Sequence, residues 1–173
     1  MQSIPDDVAP VLRTERLALT PLTQTDAPEM FELLQDRLLG AFTGDEPPVN
    51  VEALTVTYGV LEARQAPGGA ALWLNWIVRP TDDSRPVGYV QATVTDHSAR
   101  VAWVIGTPFQ RRGFASEAAA AMVAFLRDEI GVRDVAAAIH DEHEASKGVA
   151  RCLGFVPSED FEDGERIWRA PAR

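Results

Sequence analysis

The hydrophobic pattern of this chain changes period repeatedly, and each change marks the boundary of an element. Runs 16–22, 71–78, 87–95 and 99–105 are short and apolar, with β-branched residues, and read as strands. Elsewhere the spacing becomes helical. Thr25-Asp26-Ala27-Pro28-Glu29 supplies a capping residue and an early proline ahead of Met30, Phe31, Leu33 and Leu34. Asn50 caps a second helix running toward Arg64, closed by Ala66-Pro67-Gly68-Gly69. From Gly113 onward, Ala118/Ala119, Met122/Val123, Leu126 and Ile130 recur at spacings of three and four, so one helical face is apolar and turns toward a sheet. Glu117 stands in the first turn of that helix, where the dipole favours it, and Gly131 follows as a stop. Residues 134–140 read as a strand, a further helix follows His143, and 154–156 and 165–170 read as two closing strands. The loop 40–48 is rich in glycine, proline and acid, 79–86 is a second connection, and Asp96-His97-Ser98 is a hairpin turn. No repeat, low-complexity stretch or linker interrupts this order, so residues 1–173 read as one domain with its core over about 12–170. The sum is an α/β domain, a mixed sheet with helices on both faces.

Chemistry concentrates where the strand 99–105 meets the helix that opens at Gly113. A helix that starts directly after a strand leaves its first backbone N–H groups without partners, which makes an anion site. Gly113 and Ala115 remove the bulk that would keep a phosphate from those donors, and Arg111 and Arg112 add positive charge beside them. The junction is built to hold a pyrophosphate.

The passage Gln110-Arg111-Arg112-Gly113-Phe114-Ala115 resembles the Q/R-x-x-G-x-G/A acyl-CoA signature of the GNAT superfamily of N-acetyltransferases. Gln110 and Gly113 fit it, and Ala115 takes the permitted alternative at the last position. A second block, from His143 to Phe155, is similar to that family's N-x-x-S…L-G-F segment, with Ser146, Leu153, Gly154 and Phe155 in register. Leu12-Arg13-Thr14-Glu15-Arg16-Leu17-Ala18-Leu19 looks like the L-x-T-E-R-L-x-L opening of the branch that contains ribosomal-protein-alanine N-acetyltransferases. The resemblance covers the chain from about Leu12 to its end. It implies a mostly antiparallel sheet with a splayed central strand pair, and acetyl-CoA as acetyl donor. Held by Val104, Ile105, Gln110, Arg111, Arg112, Gly113, Phe114, Ala115, Ser116, His143 and Ser146, the donor would meet an amine that attacks the thioester directly. Backbone N–H groups near Val104 and Ile105 would stabilise the oxyanion.

The second block departs from the family's pattern. His143 replaces the usual asparagine, and the tyrosine expected seven residues later, the acid for the departing thiolate, is Ala150. Ser146 has a hydroxyl that serves either as that acid or as a helix cap. His143, near-neutral in titration, serves as a pantetheine contact, a cap or a proton carrier. These departures leave a catalytically silent acyl-CoA-binding module as the alternative to an enzyme. His140 and His97 are weaker candidates. The directions of the two histidines and two acids in His140-Asp141-Glu142-His143 should diverge at a strand-to-helix junction, so no metal is expected. The base is not identified: Asp45, Glu46, Glu159 and Asp160 fall in loops on the substrate side and read first as solvated acids. Trp73, Trp76 and Trp103 fall on central strands, as core or as walls of an acceptor pocket.

Charge narrows the partners. With 26 Asp and Glu against 16 Lys and Arg the net charge is −10, which disfavours a nucleic-acid surface and suits a cationic acceptor, a small amine or a protein amino terminus. No run approaches the roughly 20 apolar residues of a membrane span, and Met1-Gln2-Ser3-Ile4-Pro5-Asp6-Asp7 lacks the regions of a signal peptide. A cytoplasmic location is therefore expected, with a homodimer left open. The single cysteine, Cys152, excludes an intrachain disulfide, and its spacing from Val149 predicts a buried, core-facing thiol.

Overall fold

Leu74, Trp76 and Val78 are fully buried on one face of β3 (Leu72–Pro80), and Ile77 between them is fully buried on the other. A strand apolar on both faces must be covered on both, and two helical layers do this. The computed structural model describes residues 8–42 and 44–172. The reading of residues 1–7 as lacking a signal peptide falls outside that range.

Among the described residues, eight strands form one sheet. In chain order they are β1 (Leu12–Arg13), β2 (Leu17–Pro21), β3, β4 (Gly88–Thr95), β5 (Ser98–Ile105), β6 (Asp134–Ile139), β7 (Val156–Glu162) and β8 (Glu165–Arg169). Their spatial order is β1-β2-β3-β4-β5-β6-β8-β7, antiparallel throughout except for the parallel pair β5–β6. On the Ile77 face, α1 (Ala27–Leu34) and α2 (Val51–Glu62) enclose Leu22, Met30, Leu54 and Tyr58. On the opposite face, α3 (Phe114–Asp128) and α4 (Glu144–Cys152) lay Ala118, Met122, Leu126 and Ala150 over Trp76, Val90 and Val101. None of these helices is long and apolar enough to cross a membrane.

Local chemistry sets the element ends. The Asn50 side chain accepts from the Ala53 N–H at 2.7 Å and caps α2. Arg79 on β3 pairs with Asp26 and Glu29, each at 2.8 Å, and ties the start of α1 to the sheet. Gly131 at φ 80° ends the turn after α3.

Three expectations need correction. The opening run is two strands, because Thr14 Oγ1 accepts from the Leu17 N–H at 2.9 Å and turns the chain between β1 and β2. The first closing strand is Val156–Glu162; β7 is a sheet edge exposed on both sides, so it carries no apolar alternation and Glu159 and Asp160 are strand residues. Cys152 is exposed. Ala150 is the fully buried residue of α4, and two residues further on is about 200° around a helix of 3.6 residues per turn.

Candidate active site

β5 and β6 pair at only three positions, Ser98↔Asp134, Ala99↔Val135 and Arg100↔Ala136. β5 then runs on to Ile105 while β6 continues along β8 as far as Ile139↔Arg166, so the two strands part. The ladder fixes which backbone groups reach the resulting gap. Gly106 N–H donates to Val87 O at 2.9 Å, toward β4. Successive strand residues alternate, so Val104 also faces β4, whereas Ile105, Trp103 and Val101 face the side that β6 has left. Of the two expected donors, then, Val104 is committed to the sheet and Ile105 is turned to the gap. Gln110 Nε2 donates to Ile105 O at 2.8 Å and closes that carbonyl, with the N–H beside it left facing the gap.

Beyond Ile105 the chain makes one short helical turn and then reverses through Arg111 at φ 60° and Gly113 at φ 80°. The Phe114 ring is buried in the core beneath the turn, with the Arg112 and Arg16 guanidinium groups over it at 4.7 and 5.2 Å from its centre. The side chain of Phe114 is therefore an anchor, and only its backbone faces a ligand. The first hydrogen bond closing α3 runs from Glu117 N–H to Gly113 O, 3.0 Å, so the N–H groups of Phe114, Ala115 and Ser116 have no acceptor within the helix. With the exposed side chains of Arg111 and Arg112, these form a positive end suited to a pyrophosphate.

The other flank of the gap is the start of α4. The chain turns after β6 by a bond from His143 N–H to His140 O, 2.9 Å, and Lys147 N–H closes the first helical turn on His143 O at 3.1 Å. His143 holds the capping position, yet its ring makes no capping bond; Nε2 lies 3.5 Å from Ser146 Oγ instead. The imidazole stacks on Phe42 at 4.3 Å and 15°, and His140 lies against the same phenyl ring at 5.6 Å. The directions of the two histidines converge, contrary to the sequence expectation, because Phe42 reaches across from the loop 36–48. Burial, and then the nearby charge of His140, hold His143 below its ordinary range, so it is neutral at pH 7. Asp141 is engaged by Arg166 at 2.9 and 3.3 Å. Among the described residues no three His, Cys, Asp or Glu gather in a way that would hold a metal.

Ala150 packs into the core and presents no hydroxyl to the gap. Asp45 and Glu46 line, with Arg37, Gly40, Ala41 and Pro47, a cavity of about 240 Å³ in the loop before α2. Glu165 at the start of β8 has its carboxyl raised by burial and by the charges of Asp45, Asp163 and Glu162, which His140 opposes. Asp45, Asp163 and Glu162 thus lie within electrostatic reach of Glu165, with His140 as the positive group opposing them. Asp160 is paired with Arg169 at 3.0 Å. Trp76 is core, with Nε1 donating to Pro10 O at 2.8 Å and its ring edge-on to Phe125; Trp103 packs against the same core, and Trp73 is half-buried at the start of β3. His97 is exposed in its hairpin, away from these groups.

Two features of the site were not assigned from sequence. One is Phe42, whose only signal was an aromatic residue in a loop of glycine, proline and acid. The other is the contact of the β1–β2 turn with α3: Glu117 accepts from Thr14 Oγ1 at 2.5 Å, from Arg16 N–H at 3.0 Å and from Arg16 Nε at 2.7 Å.

Known proteins share this fold. A crystal structure of an acetyltransferase from Agrobacterium tumefaciens superposes with a TM-score of 0.75 over 99% of this chain and 96% of its own, at 19% identity. A GNAT-family acetyltransferase from Bacillus anthracis gives 0.73 over 92% and 94%, at 18% identity. An uncharacterised N-acetyltransferase of Bacillus subtilis, YoaA, is 24% identical over 149 residues, covering 84% of this chain and 82% of its own. The family model of the acetyltransferase (GNAT) domain matches residues 16–156, the span that runs from the β1–β2 turn through the parted strands to the first residue of β7, and by that match this chain belongs to the GNAT acetyltransferase family.

Proposed function

We propose that this chain is an acetyl-CoA-dependent N-acetyltransferase, acting as one domain, that moves an acetyl group to a primary amine by direct attack. The observation that carries the reading is the gap between β5 and β6, with a positive helix start on one flank and His143 and Ser146 on the other. A pyrophosphate suits the turn 110–116, and a thioester in the gap would lie beside the Ile105 N–H. That N–H stabilises the oxyanion as the amine attacks. An alkylamine is almost wholly protonated at neutral pH, so a proton must leave before attack. The lone pair of neutral His143 takes that proton. Ser146 gives its hydroxyl proton to the departing thiolate and recovers one from His143 Nε2, 3.5 Å away, while the second proton left on the nitrogen after attack goes to solvent as the amide forms. A thiolate leaves readily, so this relay replaces the tyrosine that Ala150 lacks. The net charge of −10 favours a cationic acceptor.

Calorimetric titration with acetyl-CoA, followed by thiol release over a panel of small amines and short peptides, tests this reading. Saturable binding with release supports it, and the panel separates small amines from protein amino termini. Binding without release on every acceptor would instead favour a silent acyl-CoA-binding module, and no binding would overturn both.

A further inference from the structure

The β1–β2 turn reaches a hundred residues along the chain to the phosphate-side turn, and its contacts there are specific. Glu117, in the first turn of α3, is held by Thr14 Oγ1, by the Arg16 N–H and by a fork of the Arg16 guanidinium, Nε at 2.7 Å and Nη2 at 2.6 Å. The remaining guanidinium nitrogen, Nη1, donates to Arg112 O at 3.0 Å. Nη2 also lies 3.2 Å from where a Cβ on Gly113 would stand, so the guanidinium lies against the back of the turn.

The consequence follows from the planarity of the peptide. In a trans peptide the C=O of one residue and the N–H of the next point in opposite directions. Arg16 holds the carbonyl of Arg112 on its own side, so the N–H of Gly113 faces the other. We infer that Arg16, anchored by Glu117 and Thr14, is a positioning residue that turns the Gly113 N–H toward the pyrophosphate of acetyl-CoA. This rests on the acetyl-CoA reading above and adds to it a role for the amino-terminal turn. Arg16 does not act as an additional cation for the phosphates, because Glu117 neutralises it. The peptides on either side of Arg112 are where orientation matters, since Arg111 and Gly113 both have positive φ. A flipped peptide would present a carbonyl oxygen to the anion.

The test compares two donors, one with the pyrophosphate and its 3′-phosphoadenosine and one with neither. Acetyl-CoA carries them; S-acetylpantetheine has the same thioester and arm alone, so a loss confined to acetyl-CoA lies on the nucleotide side, where Arg16 holds the turn. Their dissociation constants are measured by calorimetry for the wild-type chain, Arg16→Ala and Arg16→Lys. The wild type should prefer acetyl-CoA strongly. Arg16→Ala should lose about tenfold or more of that preference, with less than twofold change for S-acetylpantetheine. Arg16→Lys should lose it too, because one ammonium cannot fork onto Glu117 and also hold Arg112 O. It keeps the charge and the stem, and it carries the test if Arg16→Ala does not fold. A wild-type preference retained in the folded variants overturns the positioning role alone. Equal losses on both donors assign Arg16 to fold stability and also overturn it. A wild-type chain with no preference for acetyl-CoA overturns the acetyl-CoA reading itself, and the positioning role with it.

Discussion

At the scale of single residues, the mechanism we propose divides between His143 and Ser146 the work that the family resemblance assigns to one tyrosine hydroxyl. Ser146→Ala should lower kcat about tenfold, below the 10²–10⁴ range for a full general acid because a thiolate needs little help. Acetyl-CoA affinity should stay nearly constant, since the first-turn N–H groups of α4 are backbone; steady-state kinetics beside calorimetry separates the two effects. His143 gives a pH signature. Burial and the charge of His140 lower its proton affinity in the folded state, so below its ordinary pKa of 6.5 the unfolded chain binds more protons than the folded one. Its contribution to stability is complete above pH 6.5 and is lost as the pH falls through the lower, folded value. The acid limb of kcat from this group should therefore lie below pH 6.5, beneath any limb from the amine. In His143→Gln that lower limb should vanish, and the fall in Tm between pH 7.5 and 5.5 should shrink. A limb unchanged in position would remove His143 from the proton path.

At the scale of elements, the turn into α3 depends on backbone geometry that only glycine adopts without strain. Gly113 and Gly131 stand before and after the same helix with the same φ of 80°, and a Cβ on Gly131 would meet nothing within 4 Å. Each changed to alanine should cost about 1–2 kcal/mol of stability, the penalty of an L-residue in the left-handed region. Gly113→Ala alone should also weaken acetyl-CoA binding, because it shifts the N–H donors; urea denaturation and calorimetry on the pair check both halves. Much of this element was legible in the sequence: the strand into Ile105, the glycine that opens α3 and the apolar face of α3 are all local signals. The face of α4 was not, because its most buried residue is a small Ala150, while Val149 and Cys152 look more apolar. β7 was hidden for a different reason: a solvated edge strand has no side to alternate toward. Nor does a local pattern report that Arg16 meets Arg112 or that Phe42 meets His143, since these contacts join residues about a hundred apart.

At the scale of the whole molecule, charge acts with opposite sign on the two substrates we propose, acetyl-CoA and a cationic amine. The chain carries −10 overall, so its field opposes a polyanionic thioester donor and draws in a cationic acceptor. For the donor the opposition is local in its remedy: Arg111 and Arg112 are exposed at the start of α3, where the helix dipole is positive. For a cationic acceptor the attraction is spread over the surface. The Debye length falls from about 10 Å at 0.1 M salt to about 3 Å at 1 M, so added salt removes the diffuse part first. With acetyl-CoA saturating, kcat/KM for a polyamine or a basic peptide should therefore fall as salt rises, by about tenfold if steering is at the lower end of its usual range. For a singly charged amine the fall should be much smaller. With acceptor saturating, KM for acetyl-CoA should respond weakly, because the salt that screens the local arginines also screens the repulsive field. Stopped-flow or initial-rate measurements across an ionic-strength series distinguish these slopes. A polycation and a monocation with the same salt dependence would show that the acceptor is recognised within the loop 36–48 and not by the field of the molecule.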